Sequence, residues 1–345
     1  MFLCILNFME EFDLNYRHFL DRSTIIYGES GTGKSYLIVD VLHALKPHIE
    51  QIIVVSPTDR QNHTYDRGIV PLPFIHYTIT PKLLEDIWER QTALSAIYSK
   101  THGNGLVQAL FNKIPNNEQY KQRIQLLKEA LDRYESTEND KKKIEESKEA
   151  YNSLVALIQK KQINLNYKRL SNLALTSDEQ MTLKYINLNP KLVLIFDDCT
   201  DLINKFKSHP VMQKLFYQGR HANITFIFAC HTDKVLSPEL KKNSFVNMFT
   251  SEKSARSYLE RKSNDLNKEE KNILDNACKR AFTPAAPHQK LVMCREGNRM
   301  YKYTAKLNKD FRFGSDVLWN FSKEIQADAN SLNTNNHMLQ MFLNT

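Results

Sequence analysis

Glycine is scarce in this chain, nine residues in 345, against the roughly 7% usual in globular proteins. Three of the nine, Gly28, Gly31 and Gly33, fall within six positions of each other. A chain so sparing of glycine that clusters three together is building a special backbone there. Cysteine is also sparse: five residues, odd in number, widely spaced and without a CxxC pair. That argues against a disulfide framework and a structural zinc site, and fits a reducing compartment. The eleven histidines show no metal-ligand spacing. No repeat of 20–50 residues is present, so a solenoid is not expected. The apolar start MFLCILNFM lacks a basic flank and runs directly into Glu10 and Glu11. It is too short to span a bilayer and poor as a signal peptide, and reads as a strand or arm packed on the body.

Charged residues make up 25% and hydrophobic ones 41% of the chain, an ordinary globular composition. The net charge of +8 and pI near 9.0 suggest a polyanionic partner. That charge is local. Residues 279–312 hold nine Lys/Arg against Glu296 and Asp310, a net of +7, which leaves +1 for all the rest.

Short apolar runs alternate with helical stretches, the pattern of an α/β domain around a mainly parallel sheet. Strands are expected at 24–27, 51–56, 74–78, 191–196, 224–230 and 245–250, and a hairpin at 290–294 and 300–305 with its turn at 296–298. Residues from about 83 to 187 differ, with helical periodicity and no convincing strand. Ile124, Leu127, Leu131 and Tyr134, then Ile144, Tyr151, Leu154 and Ile158, keep a near-heptad rhythm across a polar break at 136–140. Two antiparallel helices packed as a short coiled coil account for this; an arm that touches a partner is the functional alternative. The expected organisation is an arm at 1–20, a main domain at 21–315 carrying the helical insertion, and a C-terminal helix or tail at 316–345.

Gly28-Glu29-Ser30-Gly31-Thr32-Gly33-Lys34-Ser35 fits the phosphate-loop pattern G-x-x-x-x-G-K-S/T in full, between a strand-like and a helix-like run. Such glycines let successive N–H groups turn inward around phosphate oxygens, and the following helix N-terminus adds partial positive charge. The pattern expects ATP with Mg²⁺: Lys34 on the β- and γ-phosphates, the Ser35 hydroxyl on the metal. A phosphate loop needs an acidic partner at a neighbouring strand tip. The run 191–196 ends in Asp197 and Asp198. Strand alternation sends the two carboxylates apart, Asp197 to the Mg²⁺ shell and Asp198 to the attacking water. Capping of the next helix is the alternative for Asp198. The N-K-x-D guanine motif of GTPases is absent.

Residues 196–203, FDDCTDLI, resemble the Walker B stretch of FtsK-type DNA translocases. Residues 219–229, GRHANITFIFA, are similar to the G-R-x-x-x-I strand of that superfamily, and Leu240-Lys241-Lys242-Asn243 to its basic-x-Asn element. Ser56-Pro57-Thr58, with Asn62 and Tyr65 beyond, resembles the viral branch, the FtsK/HerA-like genome-packaging ATPases of large DNA viruses, virophages and adenovirus-like elements. The resemblance covers 23–65 and 190–262. It implies an α/β P-loop NTPase of the additional-strand, RecA-like type that drives double-stranded DNA into a preformed capsid. A homo-oligomeric ring, pentamer or hexamer, is implied, with a capsid or portal-vertex protein as partner and no membrane span. The implied setting is a reducing compartment of an infected host cell, virus factory or nucleus, or the virion.

In such rings a neighbour's basic side chain stabilises transition-state charge. Arg220 is the first candidate, with Lys242 and Arg256 behind it; a salt bridge to Asp201 or another local acid is the plain alternative. At the sensor position, commonly Gln in the superfamily, stands His231, with Thr232 as the alternative. For DNA, which a translocase holds through phosphates rather than bases, residues 279–312 with Tyr301, Tyr303, Phe311 and Phe313 are the candidate surface. A hairpin whose aromatics are core, or a dock for an acidic capsid protein, are the other readings. Beside the motor stand a nucleotide-binding assembly factor that marks the packaging vertex or genome end, and a helicase-type ATPase.

Overall fold

The computed structural model of the chain describes residues 9–331 apart from 104, 265, 284–287, 296–298 and 307–309. The hairpin turn expected at 296–298, the first eight residues and the tail from 332 lie outside the described residues. By internal contacts the chain divides into two units, residues 1–93 with 190–345, and residues 94–189.

The first unit is built on one sheet of eight strands: β1 Ser23–Tyr27, β2 Gln51–Val55, β3 Ile75–His76, β4 Leu192–Phe196, β5 Ile224–Cys230, β6 Val246–Phe249, β7 Gln289–Cys294 and β8 Arg299–Thr304. Their order is β3-β2-β4-β5-β1-β6-β7-β8. The first six pair parallel; β7 and β8 add on antiparallel beside β6. β5 therefore stands between β1 and β4, in register Tyr27↔Cys230 on one side and Phe196↔Phe228 on the other. The α/β class and the inserted strand of the additional-strand type are both present.

Period-two alternation divides the apolar residues between two faces. Ile25, Tyr27, Leu194, Phe196, Phe226 and Phe228 face one core with Val211, Leu215, Leu274 and Cys278 from covering helices. Ile26, Val193, Ile195 and Ile227 face the other, under Leu37, Ile38 and Val41 of the helix Lys34–Leu45. Both faces are covered, which is why the strands read as continuous apolar runs. Of the residues before β1, Phe12 and Phe19 are buried in the second core, and Phe12 N–H donates to the Lys302 carbonyl at 2.7 Å. The helix Pro81–His102 sends Leu84 and Ile87 into the first core. For that reason the first unit extends to residue 93 rather than to about 83.

Residues 94–189 are helical, with a core of Leu110, Phe111, Ile163, Leu170, Leu183 and Ile186. Helices Glu118–Thr137 and Lys141–Leu165 fold back on each other through residues 138–140. Of the periodic positions, Ile124, Leu127, Leu131, Ile144, Tyr151 and Ile158 are half-buried while Tyr134 and Leu154 are exposed, and Lys148 pairs with Glu135 at 3.1 Å. Among the described residues the four cysteines are free and buried, and no helix is long and apolar enough to cross a membrane.

Phe226 sits at the middle of the first core, edge-on to Phe196 and Phe216 at 5.0 Å each. Phe226→Ala should cost about 3–5 kcal/mol, read as a lower urea midpoint at unchanged slope. A midpoint shift within error would remove this ring from the core's supports.

Candidate active site

In a parallel sheet the loops after the strands gather at one edge. Here the ends of β1, β2, β4, β5 and β6 bring residues 28–35, Thr58, Asp197 with Asp198, His231 and Thr250 with Ser251 into one cluster. The loop has the backbone its glycines promise. Gly31 and Gly33 have φ of +76° and +89°, where a side chain is strained. A Cβ on Gly28 would stand 1.7 Å from Thr250 Oγ1. The helix Lys34–Leu45 starts from Gly33 with no side-chain cap, leaving its first N–H groups for an anion. Ser30 and Gly31 form the exposed crest. Glu29 turns away from the cradle: Ser251 Oγ donates to its Oε2 at 2.8 Å and Lys253 Nζ lies 3.1 Å from Oε1. These contacts, the Ser251 bond foremost, hold its carboxyl below the usual range.

Lys34 is buried and reaches across the loop. Its Nζ donates to the Glu29 carbonyl at 3.1 Å, and lies 3.4 Å from His231 Nδ1 and 3.8 Å from Asp198 Oδ1. His231 Nε2 lies 2.6 Å from the same Asp198 oxygen. Lysine, histidine and aspartate thus close a triangle over the cradle. Thr232, the alternative sensor, accepts from Lys234 N–H at 3.1 Å.

The two aspartates diverge as expected, but for another reason. β4 ends at Phe196, and Asp198 has φ +59°, so a left-handed turn rather than strand pleating separates them. Asp198 does not cap the next helix; Cys199 is the N-cap, without a side-chain bond. Thr58 Oγ1 is 3.5 Å from Asp198 Oδ2. Asp197 is buried, and its Oδ2 accepts from Ser35 Oγ at 2.8 Å and from Tyr65 OH at 2.9 Å. Its Oδ1 is buried with no hydrogen-bond partner among the described residues. Burial raises its pKa against the pull of Ser35 and Tyr65. A hydroxyl beside a carboxylate with one unsatisfied buried oxygen is a donor set that fits a hard divalent cation such as Mg²⁺, completed by phosphate oxygens and water.

Arg220 lies elsewhere. It is on the turn Gly219–Ala222 that leads into β5, at the sheet edge opposite the loop, exposed, with its Nε 3.3 Å from His221 Nε2. Among the described residues it makes no salt bridge to Asp201. Arg256 is engaged by Glu252 at 2.7 Å and Asp275 at 3.0 Å. Lys242 is exposed at the end of the helix Pro238–Lys242.

The 279–312 segment is less of a surface than its composition suggests. Tyr303 and Phe313 are buried, Tyr301 and Phe311 pack against the same core, and Tyr303 OH donates to Asp40 at 2.9 Å. Lys290 is buried as well, donating to the carbonyls of Thr32 at 2.7 Å and Thr250 at 3.3 Å. Arg295, Arg299, Lys306 and Arg312 remain exposed; Glu296 and Lys309 lie outside the described residues. Sequence reasoning gave Lys290 to the surface and assigned no role at the site to Thr250 or Ser251. The sheet's edge rule would have found the last two, which directly follow a strand pairing with β1.

The chain is 35% identical over 342 residues to the uncharacterized protein B354L of African swine fever virus (isolate Tick/Malawi/Lil 20-1/1983), covering 93% of this chain and 94% of that one. A shorter stretch of 81 residues, 24% of this chain and 28% of the other, is 40% identical to the uncharacterized protein L437 of Acanthamoeba polyphaga mimivirus. No protein-family model matches. Similar solved structures include the genome packaging NTPase B204 of Sulfolobus turreted icosahedral virus 2 (14% identity, 82% of this chain, 96% of that, TM-score 0.37). The pCW3 conjugation coupling protein TcpA is another (12% identity, 88% and 65%, TM-score 0.42).

Because Asp197 holds its proton more tightly folded than unfolded, the associated stability is complete below pH about 4 and lost as pH rises through the raised folded value. Without nucleotide or metal, wild-type melting temperature should therefore fall as pH rises above that window. Asp197→Asn should flatten this fall, checked by thermal unfolding from pH 4 to 8. Equal slopes for the two would mean that Asp197 is not held against its charge.

Proposed function

The chain belongs to the family of the African swine fever virus protein B354L, and from that premise we propose that it is an ATP-hydrolysing motor that moves double-stranded viral genomic DNA into a preformed capsid. The observation that carries the reading is Asp198. Hydrolysis needs a carboxylate beside the phosphates, apart from the one on the metal, to orient and deprotonate water. Here Asp198 Oδ1 lies 3.8 Å from Lys34 Nζ and 2.6 Å from His231 Nε2, so it faces the end of the cradle where a γ-phosphate would lie.

Gly28 to Ser35 supply the backbone N–H groups for the phosphates, and Ser35 with Asp197 would hold Mg²⁺, which would supply neutralisation of phosphate charge. Lys34 serves the phosphates, and Asp198 orients the attacking water and takes its proton. His231, in contact with both, reports the γ-phosphate through a hydrogen bond and so takes the sensor role in preference to Thr232.

In the ring reading Arg220, exposed and at the far edge of the sheet from its own cradle, serves a neighbour's nucleotide and not its own. DNA is held through phosphates by the exposed basic side chains of the hairpin region, Arg295, Arg299, Lys306 and Arg312. A capsid or portal-vertex protein completes the machine, in the infected cell or the virion.

Asp198→Asn should lower duplex-stimulated ATP turnover about a hundredfold or more while ATP still binds. Wild-type turnover with and without blunt duplex DNA, beside oligomer mass in solution, provides the control. A wild type that binds ATP yet hydrolyses none with duplex present would replace the motor with the nucleotide-binding assembly factor.

A further inference from the structure

Lys290 comes from the most basic part of the sequence, yet it does not meet solvent. β7 runs antiparallel to β6, with Phe249 opposite Leu291, so the start of β7 lies at the edge where the parallel strands end. Lys290 is there directed under the phosphate loop. Its ammonium donates to the carbonyls of Thr32 and Thr250, and a Cβ built on Gly33 would stand 3.5 Å from it. Both of its hydrogen-bond acceptors are backbone carbonyls, and among the described residues no carboxylate pairs with it.

Two physical consequences follow. In a trans peptide the C=O and N–H point in opposite directions. Fixing the Thr32 carbonyl on Lys290 therefore turns the Gly33 N–H the other way, away from the ammonium. A buried ammonium with no carboxylate partner is also unfavourable until an anion comes near. The nearest place built for an anion is the cradle formed by the same residues.

We infer that Lys290 is a positioning residue of the phosphate site, a second lysine that fixes the Thr32–Gly33 peptide with its N–H toward the β-phosphate and lends positive charge from behind the loop. The inference rests on the nucleotide reading of that loop. Lys290 acts through the loop and on the β-phosphate, whereas Lys34 reaches both the β- and γ-phosphates and Asp198 and His231 act at the γ-phosphate. Burial pushes the Lys290 ammonium below the usual lysine range, in keeping with a charge that awaits its counter-ion.

Calorimetric titration of the full chain with MgADP and with inorganic pyrophosphate tests this, alongside turnover at saturating ATP. Lys290→Met should weaken ADP and pyrophosphate by a common factor of about ten to a hundred, with turnover at saturation kept within about threefold of wild type. Lys290→Arg, which retains charge and donors, should recover most of the lost affinity. A purely structural role would lower turnover together with affinity, or leave Arg as damaging as Met, and either outcome overturns the inference. So does a Met variant that binds ADP as tightly as wild type. Should Lys290→Met not fold, Lys290→Gln, with a neutral donor, is read on the same measurements. A wild type that binds neither ADP nor pyrophosphate would sink the nucleotide reading itself, a result separate from wild-type binding that Lys290→Met leaves intact.

Discussion

The bond from Ser35 Oγ to Asp197 Oδ2, 2.8 Å long and joining residues 162 apart in the chain, is the contact on which the rest depends. It ties the start of the first helix to the end of β4, and so ties the phosphate loop to its acidic partner. Neighbouring strands lie ~4.8 Å apart, and β5 separates β1 from β4, so the two strand ends are about twice that distance apart. The side chains spanning the gap decide the chemistry. Ser35 and Asp197 close it on one side. His231, carried on the end of β5 itself, sits where it can touch both Lys34 and Asp198. An arrangement with β1 beside β4 would leave no strand end between them for the histidine.

Around that bond the charges are mismatched in a consistent way. Among the described residues Asp197 has a buried oxygen without a donor, and its pKa is raised by burial. Lys290 has a buried ammonium set on carbonyls. Lys34 is a buried ammonium 3.8 Å from Asp198 Oδ1. A cation near Asp197 and an anion in the cradle between the lysines relieve all three at once. Magnesium with a nucleotide polyphosphate brings both charges together, and the helix N-terminus adds to the pull on the anion. A fold held for stability alone would more cheaply bury apolar side chains at these positions.

Much of this is legible in the sequence. Eight strands, the loop, the two aspartates and the seam of Ile124, Leu127 and Leu131 were legible because each follows from periodicity or a local motif. What was not legible depends on pairing between distant segments. Lys290 reads as one more basic residue in a +7 stretch until the antiparallel direction of β7 brings its first residues under the loop. Tyr303 and Phe313 read as stacking surfaces until Asp40 and the second core claim them. The separation of Asp197 from Asp198 was expected from pleating, yet arises from the left-handed backbone of Asp198, which no alternation rule contains.

The central claim is that Ser35 and Asp197 form one metal–nucleotide site. It is tested most directly by electron paramagnetic resonance with Mn²⁺ in place of Mg²⁺, titrated with and without ADP. The account predicts Mn²⁺ held only when ADP is present, with Ser35→Ala releasing it while the fold stays intact. Mn²⁺ bound equally well without nucleotide, or bound unchanged in Ser35→Ala, would contradict it.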